Sequence, residues 1–259
     1  MRRIFAAVAR VGGGLRRQKD CFVNGLRFGV VYLRARWFKM PRKIHAAGKS
    51  ISLQYPPEVG VETDFIGCFI RNEYGLRRRL ADVRTIVDVG ANAGFFSVAA
   101  RGRYPRATIH AYEPNPRVLP FLNANVSELG IRVFPEAVGI SDGFASIEDD
   151  GPSNLARTHT SGDGGIPMVG FEKAIQRIGG QVDLLKLDCE GAEWDLFQSA
   201  HCWRNIRNLR MEYHLFHRET FAQVDETLRG LGFKIIHTRH EVGFGILWAT
   251  RLPQLLTHD

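Results

Sequence analysis

Long apolar runs and cysteines are both scarce in this chain of 259 residues. No stretch reaches 18 uninterrupted apolar residues, which excludes a membrane-spanning helix. The four cysteines are scattered and none forms a CxxC pair, which excludes a disulfide framework and a zinc ribbon. Because this usage favours a reducing compartment, we expect a cytoplasmic protein. With 44% hydrophobic and 24% charged residues, the chain has the composition of a globular domain.

An excess of basic charge is missing from most of the chain, although the formal net charge is +8. Residues 1–50 hold 13 Lys and Arg against a single acid, a net charge of +12. The other 209 residues carry a net charge of −4. A domain that grips nucleic acid spreads Lys and Arg over its working face. The division of charge therefore disfavours nucleic acid as a partner.

The basic arm, residues 1–50, mixes its Lys and Arg with aromatic and aliphatic side chains. If residues 21–40 are helical, they have an apolar face and a basic face, as in helices that lie on membrane surfaces. We expect residues 1–49 to meet an anionic membrane surface and the protein to be peripheral to the membrane. The alternative is an ordinary helix that packs on the following domain.

Strands and helices alternate regularly from Val83 onward, after a lead-in segment of residues 51–82. We expect one domain over residues 83–259. Apolar runs predict strands at 85–89, 108–112, 131–138, 182–187, 206–213, 233–238 and 244–249. Helical spacing predicts helices at 95–103, 118–129 and 219–231, and another that follows Asp188 and ends at Ala200. This order predicts an α/β fold with a doubly wound, mostly parallel sheet and a C-terminal antiparallel hairpin.

The longest segment without periodicity is residues 149–165, where 13 of 17 residues are Gly, Pro, Ser, Thr, Asn or Asp. Such long loops in compact domains are usually lids, binding loops or disordered. We expect this loop beside the carboxyl edge of the sheet, where open α/β sheets bind ligands.

A glycine-rich turn, GANAG at residues 90–94, joins the first predicted strand to its helix. This arrangement brings a ligand close to backbone N–H groups and a helix N-terminus. Asn92 stands where a GxGxxG motif has its second glycine, and the Gly-Lys-Ser/Thr of a P-loop is absent. Asp88 precedes the turn, where a cationic ligand would be favoured.

Glu113 ends the second predicted strand, 19 residues after Gly94. An acid at this place can accept hydrogen bonds from both hydroxyls of a ribose. An adenosine with a positively charged tail suits Asp88 and Glu113, whereas a pyrophosphate does not. The alternative is a tight turn and a solvated carboxylate at the edge of the sheet.

Five runs together resemble the FkbM family of S-adenosylmethionine-dependent methyltransferases over about residues 51–248: IVDVGANAGFFS, AYEPNP, PEAVGISDG, VDLLKLDCEGAEWDLF and RMEYH. The most specific part is LLKLDCEGAE. The resemblance implies a class I (Rossmann-like), seven-stranded methyltransferase fold, S-adenosyl-L-methionine as cofactor, and O-methylation of a hydroxyl, often on a glycan or secondary metabolite. The expected cofactor-binding residues are Asp88, Gly90, Ala91, Asn92, Gly94, Glu113, Asn115 and Asp188.

Ionisable side chains follow the fourth and fifth predicted strands where each strand ends. Asp188 and Glu190 follow the fourth strand, and Glu212 and His214 end the fifth, so all four can converge on one cleft. Attack of a hydroxyl on a sulfonium methyl benefits from a positioned base. We predict that His214 accepts the proton and that Glu212 orients it. We also predict that Asp188 and Glu190 hold the acceptor hydroxyl and the amino-acid end of the cofactor.

Some of these residues allow other interpretations. Glu190 and Glu193 suit the first turn of a helix, where the helix dipole favours acids, and for Glu193 we expect only that role. Ligands for a metal are also present at this edge: Asp188, Glu212, His214 and His217. Since no recognised metal-ligand spacing is present, we expect no metal.

The predicted function is O-methylation of a hydroxyl on a glycan or a small-molecule acceptor. One alternative is a non-catalytic membrane-surface protein that keeps the fold and uses the basic arm. Another is an RNA methyltransferase. The charge of −4 outside the arm and the lack of an Asn-Pro-Pro-Tyr-type motif after the fourth strand disfavour it.

Overall fold

The described residues form thirteen strands, eight α-helices and one π-helical segment. The computed structural model describes residues 17–33, 38–58, 60–78, 80–148, 157–161, 165–216 and 219–252. The strands are β1 (Lys43–Ala46), β2 (Lys49–Ser52), β3 (Thr85–Val89), β4 (Thr108–Tyr112), β5 (Arg132–Phe134), β6 (Ala137–Gly139), β7 (Gly143–Glu148), β8 (Arg157–Ser161), β9 (Ile166–Gly170), β10 (Leu184–Leu187), β11 (Asn208–His214), β12 (Phe233–His240) and β13 (Phe244–Arg251). The α-helices are α1 (residues 17–27), α2 (Val61–Phe65), α3 (Phe95–Arg103), α4 (Leu119–Val126), α5 (Phe171–Arg177), α6 (Glu193–Phe197), α7 (Ala200–Trp203) and α8 (Phe221–Gly230). A π-helical segment, Ile66–Arg71, continues α2.

A seven-stranded sheet with the strand order β12-β13-β11-β10-β3-β4-β5 forms the centre of the fold. β13 runs in the direction opposite to the other six strands of this sheet. β3 and β10 are buried almost throughout, as expected of parallel strands covered on both faces. The predicted class I methyltransferase fold and its antiparallel C-terminal hairpin are confirmed. The strand order reverses between β3 and β10, so a crevice opens at their carboxyl ends.

The segment from β3 to β4 has the bounds that its sequence predicts. α3 begins directly after the glycine turn and buries Phe96 and Val98. It ends at Arg103, before Tyr104 and Pro105, because a residue that precedes proline disfavours the helical conformation. This rigid unit fixes the glycine turn at the edge of the sheet.

The predicted strand at 131–138 is wrong, since the structure divides it between two sheets. β5 belongs to the central sheet, whereas β6 belongs to a second sheet with the order β6-β9-β7-β8. Pro135 lies between β5 and β6 and has no N–H to donate to a strand ladder, which explains the break. The second sheet was not predicted.

The predicted loop at 149–165 is wrong in part. Residues 157–161 form β8, which pairs antiparallel with β7. Alternating threonines at 158 and 160 favour a strand despite the polar composition. The rest of the prediction, at 149–156 and 162–164, lies outside the described residues.

The helix predicted to end at Ala200 is interrupted. α6 and α7 replace it, because Ser199 has a non-helical backbone with ψ of 56°. α8 begins after Thr220, which forms a capping box with Gln223. α5 and the β1–β2 hairpin were not predicted.

The described part of the basic arm packs against the central domain. Cys21 and Tyr32 lie in the same buried cluster as Ile44, Ile86 and Phe96. Cys21 makes these contacts from α1, as an ordinary packed helix would, whereas Tyr32 lies in the non-helical residues that follow it. The helix considered for residues 21–40 ends at residue 27, and residues 28–33 and 38–40 do not continue it. Residues 1–16 and 34–37 lie outside the described residues. The division at residues 50 and 82 stays a prediction. Within the described residues, none of the helices has the length and hydropathy needed to cross a membrane.

Candidate active site

A cavity of about 1040 Å³ opens at the carboxyl ends of β3, β4, β10 and β11. Its wall contains most of the residues that the sequence predicts for the site: Gly90, Ala91, Asn92, Glu113, Asn115, Asp188, Glu190, Glu212 and His214. Asp88 and Gly94 are not among the lining residues. The topology therefore brings the donor-side and acceptor-side candidates into one space.

The turn after β3 requires glycine at Gly90 and Gly94. Gly90 has a φ of +71°, and a Cβ there would lie 1.8 Å from the carbonyl oxygen of Asp188. Gly94 has a φ of +84°, and a Cβ there would lie 2.7 Å from Cδ1 of Leu122 on α4. Gly90 thus allows two backbone loops to meet at the site, whereas Gly94 allows two helices to pack below it.

Glu113 is fixed by two backbone donors. The N–H of Asn92 donates to its Oε2 at 2.7 Å, and the N–H of Asn115 donates to its Oε1 at 2.8 Å. Burial raises the pKa of Glu113 to about 7, and these two hydrogen bonds oppose the shift. The Oδ1 of Asn115 accepts the N–H of Arg117, so the turn is itself held in place. Glu113 is a preorganised acceptor at the cavity wall.

Asp88 lies beneath the site. Its carboxylate is fully buried, accepts a 2.6 Å hydrogen bond from the Ser97 hydroxyl, and lies 3.6 Å from Nζ of Lys186. Burial raises its pKa, and Lys186 counteracts the shift. We expected the positive charge of a ligand opposite Asp88. The structure instead places the ammonium of Lys186 there.

Lys186 was not singled out in the sequence, although it is the one charged residue of the apolar strand β10. Its Nζ donates to the carbonyl oxygen of Gly90 and lies 3.2 Å from Oδ2 of Asp188. Burial opposes its charge, but Asp188 and Asp88 outweigh burial and raise the pKa of Lys186 above its ordinary value. A lysine in a buried strand needs such partners, which is the signal that could have identified it.

The lead-in segment contributes six residues to the cavity wall, and no sequence pattern marks them: Thr63, Asp64, Cys68, Arg71, Glu73 and Tyr74. The hydroxyl of Tyr74 donates to Oδ2 of Asp188 at 2.9 Å. Asp64 on α2 lies 3.5 Å from Nδ2 of Asn92, and burial followed by repulsion from Asp188 raises its pKa to about 7. Segment 51–82 therefore supplies one wall of the site.

Glu193 lies in the first turn of α6, as predicted, but it also holds His214, which is the contact that we predict for Glu212. Oε1 of Glu193 accepts the backbone N–H of His214 at 2.8 Å and lies 2.9 Å from its Nδ1. Glu193 is fully buried, and its Oε2 accepts the N–H of Gly191. The chain turns back at Glu190 and Gly191, with φ of +53° and +107°, and this turn places Glu193 under the end of β11.

The carboxylate–histidine cluster, which we define as Asp188, Glu190, Glu212 and His214, surrounds one imidazole nitrogen. Nε2 of His214 lies 3.3 Å from Oε2 of Glu190 and 3.7 Å from Oε1 of Glu212. Burial lowers the pKa of His214, but Glu193 and the other carboxylates outweigh burial and raise it to about 9. Burial and Asp188 raise the pKa of Glu212. The imidazole therefore holds a proton near neutral pH, which argues against His214 as the sole proton acceptor.

Three members of the cluster have the arrangement of metal ligands. One donor atom from each of Asp188, Glu190 and His214 lies within 4.8 Å of the other two. The predicted ligand Glu212 is not part of this group. His217 lies outside the described residues.

Comparisons with known proteins identify the family of the chain. The Methyltransferase FkbM domain model matches residues 88–235. The 31-O-demethyl-FK506 methyltransferase FkbM of Streptomyces tacrolimicus is 27% identical, over 65% of this chain and 78% of that protein. Methyltransferase 1 of Beauveria bassiana is 24% identical, over 69% of this chain and 84% of that protein.

Similar solved structures include a precorrin-6y C5,15-methyltransferase from Geobacter metallireducens. It is 14% identical, covers 77% of this chain and 94% of its own, and has a TM-score of 0.47. Fibrillarin from Aeropyrum pernix with bound S-adenosyl-L-methionine is 15% identical, covers 70% of this chain and 74% of its own, and has a TM-score of 0.44.

The domain match spans more than half of the chain and includes the glycine turn, Glu113 and the carboxylate–histidine cluster. The protein is a methyltransferase, and S-adenosyl-L-methionine is its methyl donor. The chain belongs to the FkbM family of methyltransferases.

Proposed function

We propose that the protein transfers a methyl group to a hydroxyl of a small-molecule or glycan acceptor. The observation that carries this proposal is the distribution of groups in one cavity. A fixed carboxylate, Glu113, lies at the end of β4, and the carboxylate–histidine cluster lies at the ends of β10 and β11. The first suits the ribose of the donor, and the second suits a hydroxyl that must lose a proton.

The donor side fits S-adenosylmethionine. Both oxygens of Glu113 are held by backbone N–H groups at the cavity wall, and each keeps a lone pair that a ribose hydroxyl can use. The turn at Gly90, Ala91 and Asn92 lines the same wall. The bound cofactor supplies a methyl group on a positively charged sulfur. The carboxyl groups of Asp64 and Asp188 line the same cavity, and their oxygens suit that positive charge.

On the acceptor side, the cluster holds the hydroxyl and receives its proton. Glu190 and Glu212 offer carboxylate oxygens that accept a hydrogen bond from an alcohol. Glu193 holds the ring of His214 with Nε2 on the side of Glu190. The oxygen–methyl bond forms as the sulfur–methyl bond breaks, and the proton of the hydroxyl passes to the cluster. We assign this proton uptake to the cluster rather than to His214 alone.

Transfer of a labelled methyl group tests the proposal. The full chain is incubated with methyl-labelled S-adenosylmethionine and matched panels of alcohols, glycans, amines and RNA, and the products are examined by mass spectrometry. Label on a hydroxyl oxygen supports the proposal. Label on an amine or on RNA, or binding of the donor without transfer to any alcohol, contradicts it. The same assay with Asp188→Asn separates enzymatic from spontaneous methylation, because Asp188 lies at the centre of the site.

We also propose that the protein is cytoplasmic and that the basic arm holds it at an anionic membrane surface. Four apolar side chains of the described arm are 37–63% exposed: Val23 and Leu26 on α1, and Val31 and Leu33 in the non-helical residues that follow it. Exposed apolar side chains among Lys and Arg are typical of peripheral membrane binding. The described arm supports this proposal only through these exposed side chains, since Cys21 and Tyr32 are buried.

A further inference from the structure

The donor atoms at the carboxyl ends of β10 and β11 form a ready ligand set. Asp188 and Glu190 contribute carboxylate oxygens, His214 contributes Nε2, and the three atoms lie within 4.8 Å of one another. All three residues line the active-site cavity, so the space between them is accessible to a small cation. This group is more than an acidic cluster, since it includes an imidazole nitrogen from a second strand.

His214 is held in the way that proteins hold a metal-binding histidine. Its Nδ1 lies 2.9 Å from Oε1 of Glu193, a fully buried carboxylate. A cation that displaces the proton from Nε2 leaves the other proton on Nδ1, toward Glu193, and the lone pair on Nε2, which lies on the side of Glu190. A carboxylate behind a ligating histidine fixes the tautomer and the ring orientation.

Two aromatic rings prevent His214 from turning away. Phe216 stacks on the imidazole with ring centroids 5.2 Å apart and an interplanar angle of 10°. Phe244 lies nearly parallel to it, with centroids 6.3 Å apart. The two rings therefore hold Nε2 toward the carboxylates.

Charge at this place also favours a cation. Glu212 lies 3.7 Å from the same Nε2, so the cluster brings three carboxylates around one imidazole. The ammonium of Lys186 lies 3.2 Å from Asp188, but it also faces Asp88 and donates to the carbonyl oxygen of Gly90. A divalent cation would balance the mutual repulsion of the carboxylates.

We propose that Asp188, Glu190 and His214 bind a divalent cation, and that the acceptor hydroxyl is a further ligand of this cation. Two carboxylates and one imidazole suit Mn²⁺ and similar first-row ions better than Mg²⁺, which prefers oxygen ligands alone. Three protein ligands leave coordination positions open for an alcohol oxygen. A cation there would polarise the alcohol and orient it toward the donor. The role of the cation in binding the acceptor alcohol rests on the proposed function, whereas the binding of the cation itself does not.

The experiment measures Mn²⁺ binding to the full, chelator-treated protein in the absence of donor and acceptor. Electron paramagnetic resonance of free Mn²⁺ gives the affinity, and the thermal unfolding midpoint gives a second readout, since a ligand of the folded state raises it. We expect one bound Mn²⁺, an affinity at least tenfold weaker in Glu190→Gln and His214→Ala, and no rise in the midpoint of these variants.

Glu241→Gln is the matched control, because Glu241 lines the same cavity but is not one of the three ligands. It should bind Mn²⁺ as the wild type does. Equal binding by the wild type and by folded Glu190→Gln and His214→Ala, or no binding by the wild type, overturns the inference. An equal loss in Glu241→Gln also overturns it, since the cation would then respond to cavity charge and not to these ligands.

The outcomes separate this inference from the proposed function. Mn²⁺ binding without label on any alcohol leaves the cation site standing and contradicts O-methylation. Full methylation of an alcohol by a chelator-treated protein that binds no Mn²⁺ leaves the function standing and contradicts the cation site.

Discussion

Glu193 contacts both the backbone and the imidazole ring of His214. One carboxylate oxygen, Oε1, accepts the backbone N–H of His214 and faces its Nδ1, at 2.8 and 2.9 Å. Backbone and ring are therefore fixed by the same atom. A helix-dipole role for Glu193 would need neither contact.

Glu193→Gln should lower kcat at least about tenfold, because a neutral amide holds the ring less firmly. The Kd for S-adenosylmethionine should stay nearly unchanged, since Glu193 does not line the cavity. Steady-state kinetics and calorimetry check both. Glu172→Gln is the control, because Glu172 is an exposed acid in the first turn of α5. If both variants lose equally little activity, Glu193 is only a first-turn acid.

Glu113→Ala should weaken binding of S-adenosylmethionine by more than tenfold. The variant loses charge-assisted hydrogen bonds to the ribose, each contributing about 1.5–3 kcal/mol at most. Calorimetry measures the affinity, and Glu241→Gln controls for the loss of a charge from the same cavity. An unchanged affinity in Glu113→Ala contradicts the assignment of Glu113 to the ribose.

The affinity for S-adenosylmethionine should rise between about pH 6 and about pH 8. The pKa of Glu113 is raised by burial to about 7, and only its ionised form accepts both ribose hydroxyls. Calorimetry across this range, in wild type and Glu113→Gln, checks the slope. In Glu113→Gln the affinity should depend less on pH, because the side chain no longer ionises. If affinity rises equally with pH in the wild type and in the variant, ionisation of Glu113 does not cause the rise.

Ionisation of Glu113 should affect the stability of the ligand-free protein in the opposite direction: stability should fall as pH rises, whereas affinity for the donor rises. Between the ordinary pKa of glutamate and about 7, the folded state binds more protons at Glu113 than the unfolded state does. Its contribution to the free energy of unfolding therefore falls as pH rises through this window. Urea unfolding at several pH values should show a flatter dependence in Glu113→Gln than in the wild type.

Gly90→Ala should destabilise the fold by about 2–5 kcal/mol, from left-handed strain and overpacking together. A Cβ there would lie 1.8 Å from the carbonyl oxygen of Asp188. Gly130→Ala is a matched control, since Gly130 has a φ of +60° and a Cβ added there would meet nothing within 4 Å. It should cost only about 1–2 kcal/mol. Urea unfolding gives the free energy of unfolding of both variants, and the difference between them is the effect of the clash with Asp188. Equal losses of stability in the two variants would show that this clash does not exist.

Sedimentation with vesicles tests the basic arm. The wild type should bind phosphatidylserine vesicles more than neutral ones, less so at high salt, with about 1 kcal/mol from each basic residue near the surface. Leu26→Ser together with Leu33→Ser should weaken this binding. Val242→Ser is the control, because Val242 is 99% exposed on the β12–β13 turn, away from the arm in sequence. Equal binding to both vesicle types would contradict membrane association.

The local parts of the fold could be predicted from the sequence. β3, α3 and β4 are each marked by an apolar run or an apolar face between glycine or proline, so their bounds are correct. Glu113 and the cluster could be placed at one edge because parallel strands end on the same side. The second sheet could not be predicted, since its strand β6 has only three residues and its strand β8 lies in a segment of polar composition.

The contacts in the site between residues far apart in the sequence could not be predicted, because they depend on how the backbone turns. Glu193 and Glu212 are both acids close to the predicted site, and the backbone turn at Glu190 decides which of them reaches Nδ1 of His214. Contact between Tyr74 and Asp188 joins residues 114 positions apart, and no periodicity marks such a pair. Sequence patterns report which face is buried, but they do not report which distant side chain meets it.

The contact between Tyr74 and Asp188 bears on how the enzyme can be divided. A fragment cut at the start of the family match would begin at residue 88. It would lack Tyr74 and Asp64, and with them a hydroxyl donor to Asp188 and one wall of the cavity. It would also expose the side of Phe96 that packs against Tyr74. The lead-in segment and the central sheet meet in the active site. A minimal catalytic unit therefore has to include both the lead-in segment and the sheet.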